Sequence, residues 1–254
     1  MKNFKYVLPN ALTLVNLLLG IVAIIMVFRG RNEYVAAWVI FAAALFDLFD
    51  GLAARALNAK SEFGKALDSL ADMVSFGVAP TIILYQWLFV VLTELSVHST
   101  FGITSANTGQ KIILLCSLLF AVGGAIRLAR FNATTAGERY FTGLPIPAAA
   151  LFVAICWLLL GSTESESTRS VLLNIGVVFA IIVGLFALMV SRIRMIALKF
   201  DGLGIRNNMY QYIVLLGAVI LIALFRIPGA LLSMIFYILL SFIQAIAPAA
   251  ESKS

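Results

Sequence analysis

Histidine is almost missing from this sequence: His98 is the only one, and it falls in a polar stretch. Cysteine is scarce too. Cys116 and Cys156 both lie inside apolar runs, which reads as two core thiols, neither a disulfide framework nor a metal knuckle. Zinc sites built from His and Cys, and nucleophile pairs of Ser or Cys with His, therefore have almost no material. Charge is equally sparse. Only 12% of the residues are charged and 62% are hydrophobic, against roughly a quarter charged in an average soluble domain. No polar stretch is long enough to fold as a separate soluble domain. No basic cluster sits on a soluble face, so nucleic acid is not an expected partner. The net charge of +6 reads instead as the cation excess of cytoplasmic loops in a membrane protein.

What is present in quantity is apolar length. Runs of about 20 apolar residues cross a bilayer as helices, and the pattern predicts an all-α integral membrane protein with eight spans. They are placed at 9–28, 34–57, 66–92, 110–132, 145–161, 170–191, 211–225 and 228–248. Only Arg226-Ile227-Pro228-Gly229 separates the last two, which predicts a tight helical hairpin. Lys2 and Lys5 ahead of the first run resemble the start of a signal peptide. The run from Ala11 to Phe28 is too long for one, however, and ends in Arg29-Gly30-Arg31 without a small-residue cleavage site. It is expected to be a retained span. Residues Met1 to Leu8 are basic and apolar in mixture, which fits either a short interfacial helix or a tail.

An even number of spans puts both termini on one side. With that side as the cytoplasm, 13 Lys and Arg fall inside and 5 outside. The asymmetry predicts a multi-pass protein of the cytoplasmic membrane with both termini inside. It also brings the ends of spans two, four and six and the start of span three to the cytoplasmic face.

That face carries most of the acid. Four of the five aspartates lie between positions 47 and 72. Asp47 and Asp50 are spaced i, i+3 near the end of span two; Asp68 and Asp72 are spaced i, i+4 near the start of span three. Each spacing puts its pair on one helical face. With the two helices as antiparallel neighbours, four carboxylates converge in one crevice at the membrane edge. Four carboxylates repel one another, and hard divalent cations with oxygen ligands resolve that repulsion. Two such ions favour in-line phosphoryl displacement. The bland reading, that Arg55, Lys60 and Lys65 merely pair these acids, is the weaker one, because intramembrane acids are functional by default. Gly51 and Gly64 flank the same acids, where glycine permits close approach of a ligand or a backbone. Small-residue helix packing explains them equally well. Arg55 follows at a position from which it can clamp a phosphate.

Written out, Asp47-x2-Asp50-Gly51-x2-Ala54-Arg55-x8-Gly64-x3-Asp68-x3-Asp72 resembles the signature of the CDP-alcohol phosphotransferase family at every fixed position. The resemblance implies a six-helix membrane core within residues 1–210, with residues 211–254 as an added C-terminal transmembrane hairpin and tail. It implies a homodimer, and a CDP-linked lipid held at the cytoplasmic interface with two divalent ions, Mg²⁺ or Mn²⁺. By position, Asp47, Asp50, Asp68 and Asp72 would be metal ligands. Asp72 would also be the base that takes the acceptor's proton. Gly51, Ala54, Arg55 and Gly64 would line the CDP pocket. The Asn10 and Thr13 region of span one either approaches the nucleotide or caps a helix start, and capping is the stronger reading.

Four further stretches resemble the branch of the family that transfers a phosphatidyl group from CDP-diacylglycerol to L-serine. They are Leu8-Pro9-Asn10 with Leu12-Thr13-Leu14, Ser75 to Pro80, Arg127 to Asn132, and Gly143 to Pro147; Val190-Ser191 with Lys199 resembles a later segment. Arg127 and Arg130, spaced i, i+3 at the end of span four, suit a carboxylate through the guanidinium fork. Asn132 adds a hydrogen-bonding group. The alternative is that both arginines only set topology and snorkel. Gly143, Pro145 and Pro147 are expected to shape the start of span five. The expected reaction is attack of the serine hydroxyl on CDP-diacylglycerol, giving phosphatidylserine and CMP. Other acceptors (glycerol 3-phosphate, inositol phosphate, choline) or an archaeal ether lipid are the alternatives within the family. A divalent-cation transporter is the alternative outside it. Transporters place their acids near the bilayer midplane and often carry inverted repeats; here the acids lie near span ends and no repeat is visible.

Overall fold

The computed structural model describes residues 4–29, 34–59, 61–95, 106–133, 142–193, 195–196 and 209–246. Within them the chain is all-α. The helices are α1 (Phe4–Phe28), α2 (Val35–Ala56), α3 (Glu62–Leu95), α4 (Thr108–Ala133), α5 (Ile146–Ser162), α6 (Glu166–Leu172), α7 (Ile175–Val190) and α8 (Met209–Ile246). In a bilayer every backbone N–H and C=O must be satisfied within the protein, and for single apolar runs only the helix achieves that.

The side chains sort as they do in lipid. Ala23, Ala36, Ala37 and Ala43 are fully buried where α1 and α2 pack, and Leu18, Trp38, Leu45 and Phe63 point out, each about half exposed or more. Small residues inside and large apolar residues outside is the arrangement that lets helices approach closely in a membrane. α5 is the exception, because it is apolar on all sides and buried on nearly all of them. It forms the centre of the bundle, with Trp157 against the Tyr34 ring at 5.0 Å between centroids.

Among the described residues five helices are long and apolar enough to cross a membrane, or six when the bent pair α6–α7 counts as one span. The chain is therefore a multi-pass membrane protein, but the expected eight spans are not reached by this measure. The segment expected at 145–161 is a helix of only 17 residues. That expected at 170–191 is broken at Leu173–Asn174, where Asn174 caps α7 and the axis turns by 58°. The last two segments run as one helical stretch interrupted at Arg226, with φ 54° and ψ −122°. The chain folds back there. A Cβ on Gly229 would fall 1.9 Å from the Leu221 carbonyl oxygen, and one on Gly217 would fall 2.7 Å from the Phe236 ring. Only glycine lets the two arms close this tightly. α1 begins at Phe4, so Phe4 to Leu8 continue the first span as helix; Met1 to Asn3 lie outside the described residues.

Candidate active site

The acids are delivered by a helix end and a helix start. Asp47 and Asp50 occupy the last turns of α2. The chain then reverses through Asn58, whose φ is 48°. Ser61 caps α3 by accepting a hydrogen bond from the Gly64 amide at 2.9 Å. Both helices pack along α1, so the crevice between their acids is floored by α1. Carboxylate oxygens of Asp47, Asp50 and Asp68 all lie within 4.8 Å of one another. Asp72 stands beside this trio, in electrostatic range of all three acids. The convergence expected of four acids is thus a cluster of three with the fourth one turn deeper along α3.

One face of α1 serves this crevice. Asn10, Thr13 and Asn16 follow one another at i, i+3, i+6. The Asn10 side chain lies at Gly64, where a Cβ would meet its Oδ1 at 3.3 Å. Thr13 Oγ1 lies 2.7 Å from Asp50 Oδ2 and 3.1 Å from the Pro9 carbonyl. Asn16 Nδ2 donates to Asp72 Oδ1 at 3.4 Å. The expectation that Asn10 and Thr13 cap a helix start is corrected here: both lie well inside α1, in its second and third turns. Asn16 was not anticipated at all. Its signal was available, since it continues the polar stripe through an otherwise apolar run.

A widened turn sets the depth of Asp72. Met73–Val78 forms a π-helical segment directly after it. Pro80 supplies no N–H and crowds the carbonyl four residues back, which a wider turn relieves. Ser75, within the π segment, donates to the Asn16 carbonyl at 2.8 Å. A Cβ on Gly20 would stand 2.4 Å from Ser75 Oγ, so α1 and the π segment touch.

The residues expected to line the CDP pocket lie on the same stretch as the acids. Gly51 has room beside it, with only Arg55 Nη2 at 3.9 Å from an added Cβ. Arg55 is exposed and its Nε donates to the Gly51 carbonyl at 3.0 Å, which leaves the rest of its fork for an anion. Ala54 is half-buried. Among the described residues the recorded ion pair is Arg169–Glu94, far in sequence from the acids. Arg55 does not pair the aspartates, and Lys65 donates to the Asn132 carbonyl at 3.4 Å. Lys60 lies outside the described residues. A cluster of hard oxygen donors with no ion-paired cation among the described residues fits a divalent metal.

The expected acceptor residues separate. α3 and α4 cross at glycine, with a Cβ on Gly124 only 3.9 Å from Gly77 Cα and 2.5 Å from Ile146 Cδ1. Arg127, three residues on from Gly124, lies in electrostatic range of Asp72 and of Tyr237. Arg130 instead donates to the Val190 carbonyl, at the C-terminal end of α7, a favourable place for a cation. Asn132 is exposed and donates to Ser69 Oγ at 2.9 Å. The structure therefore brings Arg127 to the acids and holds Arg130 and Asn132 on neighbouring contacts. Gly143, with φ 77°, donates to the Ile193 carbonyl, and Pro145 caps the start of α5. Among the described residues the buried side-chain polar atoms with no hydrogen-bond partner are Asn16 Oδ1 and Arg127 Nε. Both flank Asp72.

Residues 6–182 match the family model described as CDP-alcohol phosphatidyltransferase. A CDP-diacylglycerol–serine O-phosphatidyltransferase of Helicobacter pylori strain J99 is 38% identical over 195 residues, 76% of this chain and 73% of that protein. One of Bacillus subtilis strain 168 is 34% identical over 187 residues, 74% of this chain and 88% of that protein. An archaetidylserine synthase of Methanothermobacter thermautotrophicus is 35% identical over 153 residues, 59% of this chain and 58% of that protein.

Proposed function

The chain belongs to the CDP-alcohol phosphatidyltransferase family, and from that premise we propose that it transfers the phosphatidyl group of CDP-diacylglycerol to the hydroxyl of L-serine, forming phosphatidylserine and CMP. The observation that carries the acceptor assignment is Arg127: a half-buried side chain whose Nε is buried and unpartnered, in electrostatic range of the one acid outside the carboxylate trio. The names of its relatives in Helicobacter and Bacillus agree with it.

The acids are proposed to hold two divalent ions, Mg²⁺ or Mn²⁺, with Asp47, Asp50, Asp68 and Asp72 as ligands. Such ions, when bound, neutralise charge on a pyrophosphate and on the departing CMP. The protein's own residues do the rest. Thr13 fixes the Asp50 carboxylate, and a group held by an outer partner keeps its orientation as a ligand. Gly51, Ala54 and Gly64 leave room for the nucleotide, and Arg55 offers its free guanidinium donors to the phosphates. Asp72 takes the proton of the serine hydroxyl. The serine oxygen then forms its bond to the phosphorus nearer the diacylglycerol as the bond from that phosphorus to the CMP oxygen breaks. Arg127 binds the serine carboxylate and aligns the hydroxyl.

The site opens at the cytoplasmic face of the cell membrane with both termini on that side, residues 1–210 form the catalytic core, and two copies associate; these are parts of the same proposal. A second reading keeps the chemistry and changes the lipid, and the similarity to an archaetidylserine synthase favours it. The test is CMP release by the purified protein with CDP-diacylglycerol, or its ether-linked counterpart, and L-serine, ethanolamine or glycerol 3-phosphate. L-Serine should support the fastest release. Faster release with glycerol 3-phosphate would overturn the acceptor assignment and leave the metal chemistry standing.

A further inference from the structure

Asn16 has a side chain with two ends, and only one is used. The residue is fully buried. Its Nδ2 donates to Asp72 Oδ1 at 3.4 Å, and its Oδ1 has no partner. Turning the amide over would not help, because Oδ1 would then face a carboxylate oxygen and Nδ2 would lose its acceptor. Buried carbonyl oxygens are paired in the great majority of cases, so an orphan beside a reactive group calls for an explanation. The orphan is an acceptor, and what it lacks is a donor.

A complementary orphan belongs to Arg127 on α4. Arg127 Nε is a buried donor without an acceptor, in electrostatic range of Asp72. The unsatisfied acceptor is hydrogen-bonded through its other end to the Asp72 carboxylate, and the unsatisfied cationic donor belongs to a residue that feels the same carboxylate's charge. We infer that Asn16 is a substrate-contacting specificity residue whose Oδ1 accepts a hydrogen bond from the α-ammonium of the acceptor, while Arg127 takes its carboxylate and Asp72 its hydroxyl. This inference rests on the serine reading above and deepens it.

The placement of Asn16 is rigid. Its backbone carbonyl accepts from Ser75 Oγ at 2.8 Å, and Gly20, one turn on, abuts the same serine. α1 is therefore pinned to the π segment next to Asp72, and the amide cannot drift from the site. A neutral amide also suits the position chemically. A carboxylate there would bind an ammonium more strongly, but it would add a fifth acid to a crevice already crowded with them and compete for metal.

The experiment compares wild type with Asn16→Leu, which keeps the shape without polar atoms, and Asn16→Ala. Three quantities are measured on the full-length protein: CDP-diacylglycerol binding, the KM for L-serine, and the strength of 3-hydroxypropionate, which is serine without its ammonium, as acceptor or competitive inhibitor. The inference expects CDP-diacylglycerol affinity to hold in at least one variant and the serine KM to rise about tenfold to a hundredfold. The constant for 3-hydroxypropionate should change less than about threefold, because it never met Asn16. Equal losses for serine and 3-hydroxypropionate would overturn it, since Asn16 would then act through Asp72 alone. Recovery of the variants by raised metal concentration would overturn it in favour of a metal ligand. Loss of CDP-diacylglycerol binding in both variants would overturn it in favour of a packing role. Wild type that releases CMP no faster with serine than without acceptor would take down the serine reading itself, and this inference with it.

Discussion

The two halves of the crevice are built differently. The half proposed to face the CDP-lipid comes from one contiguous stretch, the end of α2 and the start of α3, braced by Thr13 of α1, and the polar groups named there are satisfied: Thr13 lies on Asp50, Ser61 accepts from Gly64, and Arg55 rests on the Gly51 carbonyl. The half proposed to face the acceptor is assembled from α1, α3 and α4, and it holds the unpaired atoms Asn16 Oδ1 and Arg127 Nε. The acids and glycines of the motif lie in one stretch, so local spacing suffices to encode the first half. The second draws on single residues from distant helices, and its unsatisfied groups mark what the proposed acceptor has to supply.

The comparison breaks first at the metal. Chelation should abolish CMP release, and Mg²⁺ or Mn²⁺ should restore it; full activity in excess EDTA would remove the donor half from the mechanism. Next in size is Asp72→Asn, which joins the halves. CDP-diacylglycerol binding should remain measurable while turnover falls by about 10²- to 10⁴-fold, the range of general-base contributions. Near wild-type turnover in a single-turnover assay would free Asp72 from that role.

Arg127 and Arg130 sharpen the acceptor side. Arg127→Ala should raise the KM for serine by at least about tenfold and leave that for CDP-diacylglycerol nearly unchanged. Arg127→Lys should not restore it fully, because an ammonium lacks the planar fork. Arg130→Ala should have the smaller effect on serine, because its guanidinium is engaged at the end of α7. Equal effects from the two would show that neither position is specific. On the donor side, Thr13→Val removes the hydroxyl that holds Asp50 and should weaken metal affinity by about tenfold, as the loss of an outer partner of a ligand does. A metal titration of activity measures it.

The smallest effect is expected at Tyr237, in the hairpin beyond the matched family region. Its hydroxyl donates to the Ile196 carbonyl at 3.2 Å, and Ser241 lies 3.3 Å from the Ile196 amide. Tyr237 also lies in electrostatic range of Arg127. Tyr237→Phe should raise the serine KM by no more than a few-fold, on the order of one neutral hydrogen bond. No change at all, measured alongside Arg127→Ala, would confine α8 to packing.

The acids, the glycines of the motif and the helical class of the fold were legible in the residues themselves. Helix periodicity puts i, i+3 and i, i+4 carboxylates on one face wherever the helix lies, and apolar runs of this length have no other stable backbone in lipid. The number of spans was less legible. Apolar composition does not say whether a helix lies at the bundle centre, as the short α5 does, or breaks at an asparagine cap, as α6–α7 does. The fate of the arginine pair was not legible at all: Arg127 and Arg130 share a helical face by spacing, yet the close crossing of Gly77 and Gly124 turns one toward Asp72 while the end of α7 captures the other. Asn16 is the same case. Its letter stood in the polar stripe of α1, but the distance from Asp72, and the empty acceptor it keeps, arise only where α1 meets the widened turn of α3. Local spacing decides which groups of one helix travel together; which partners they find depends on how helices far apart in sequence pack, and that is a property of the assembled bundle.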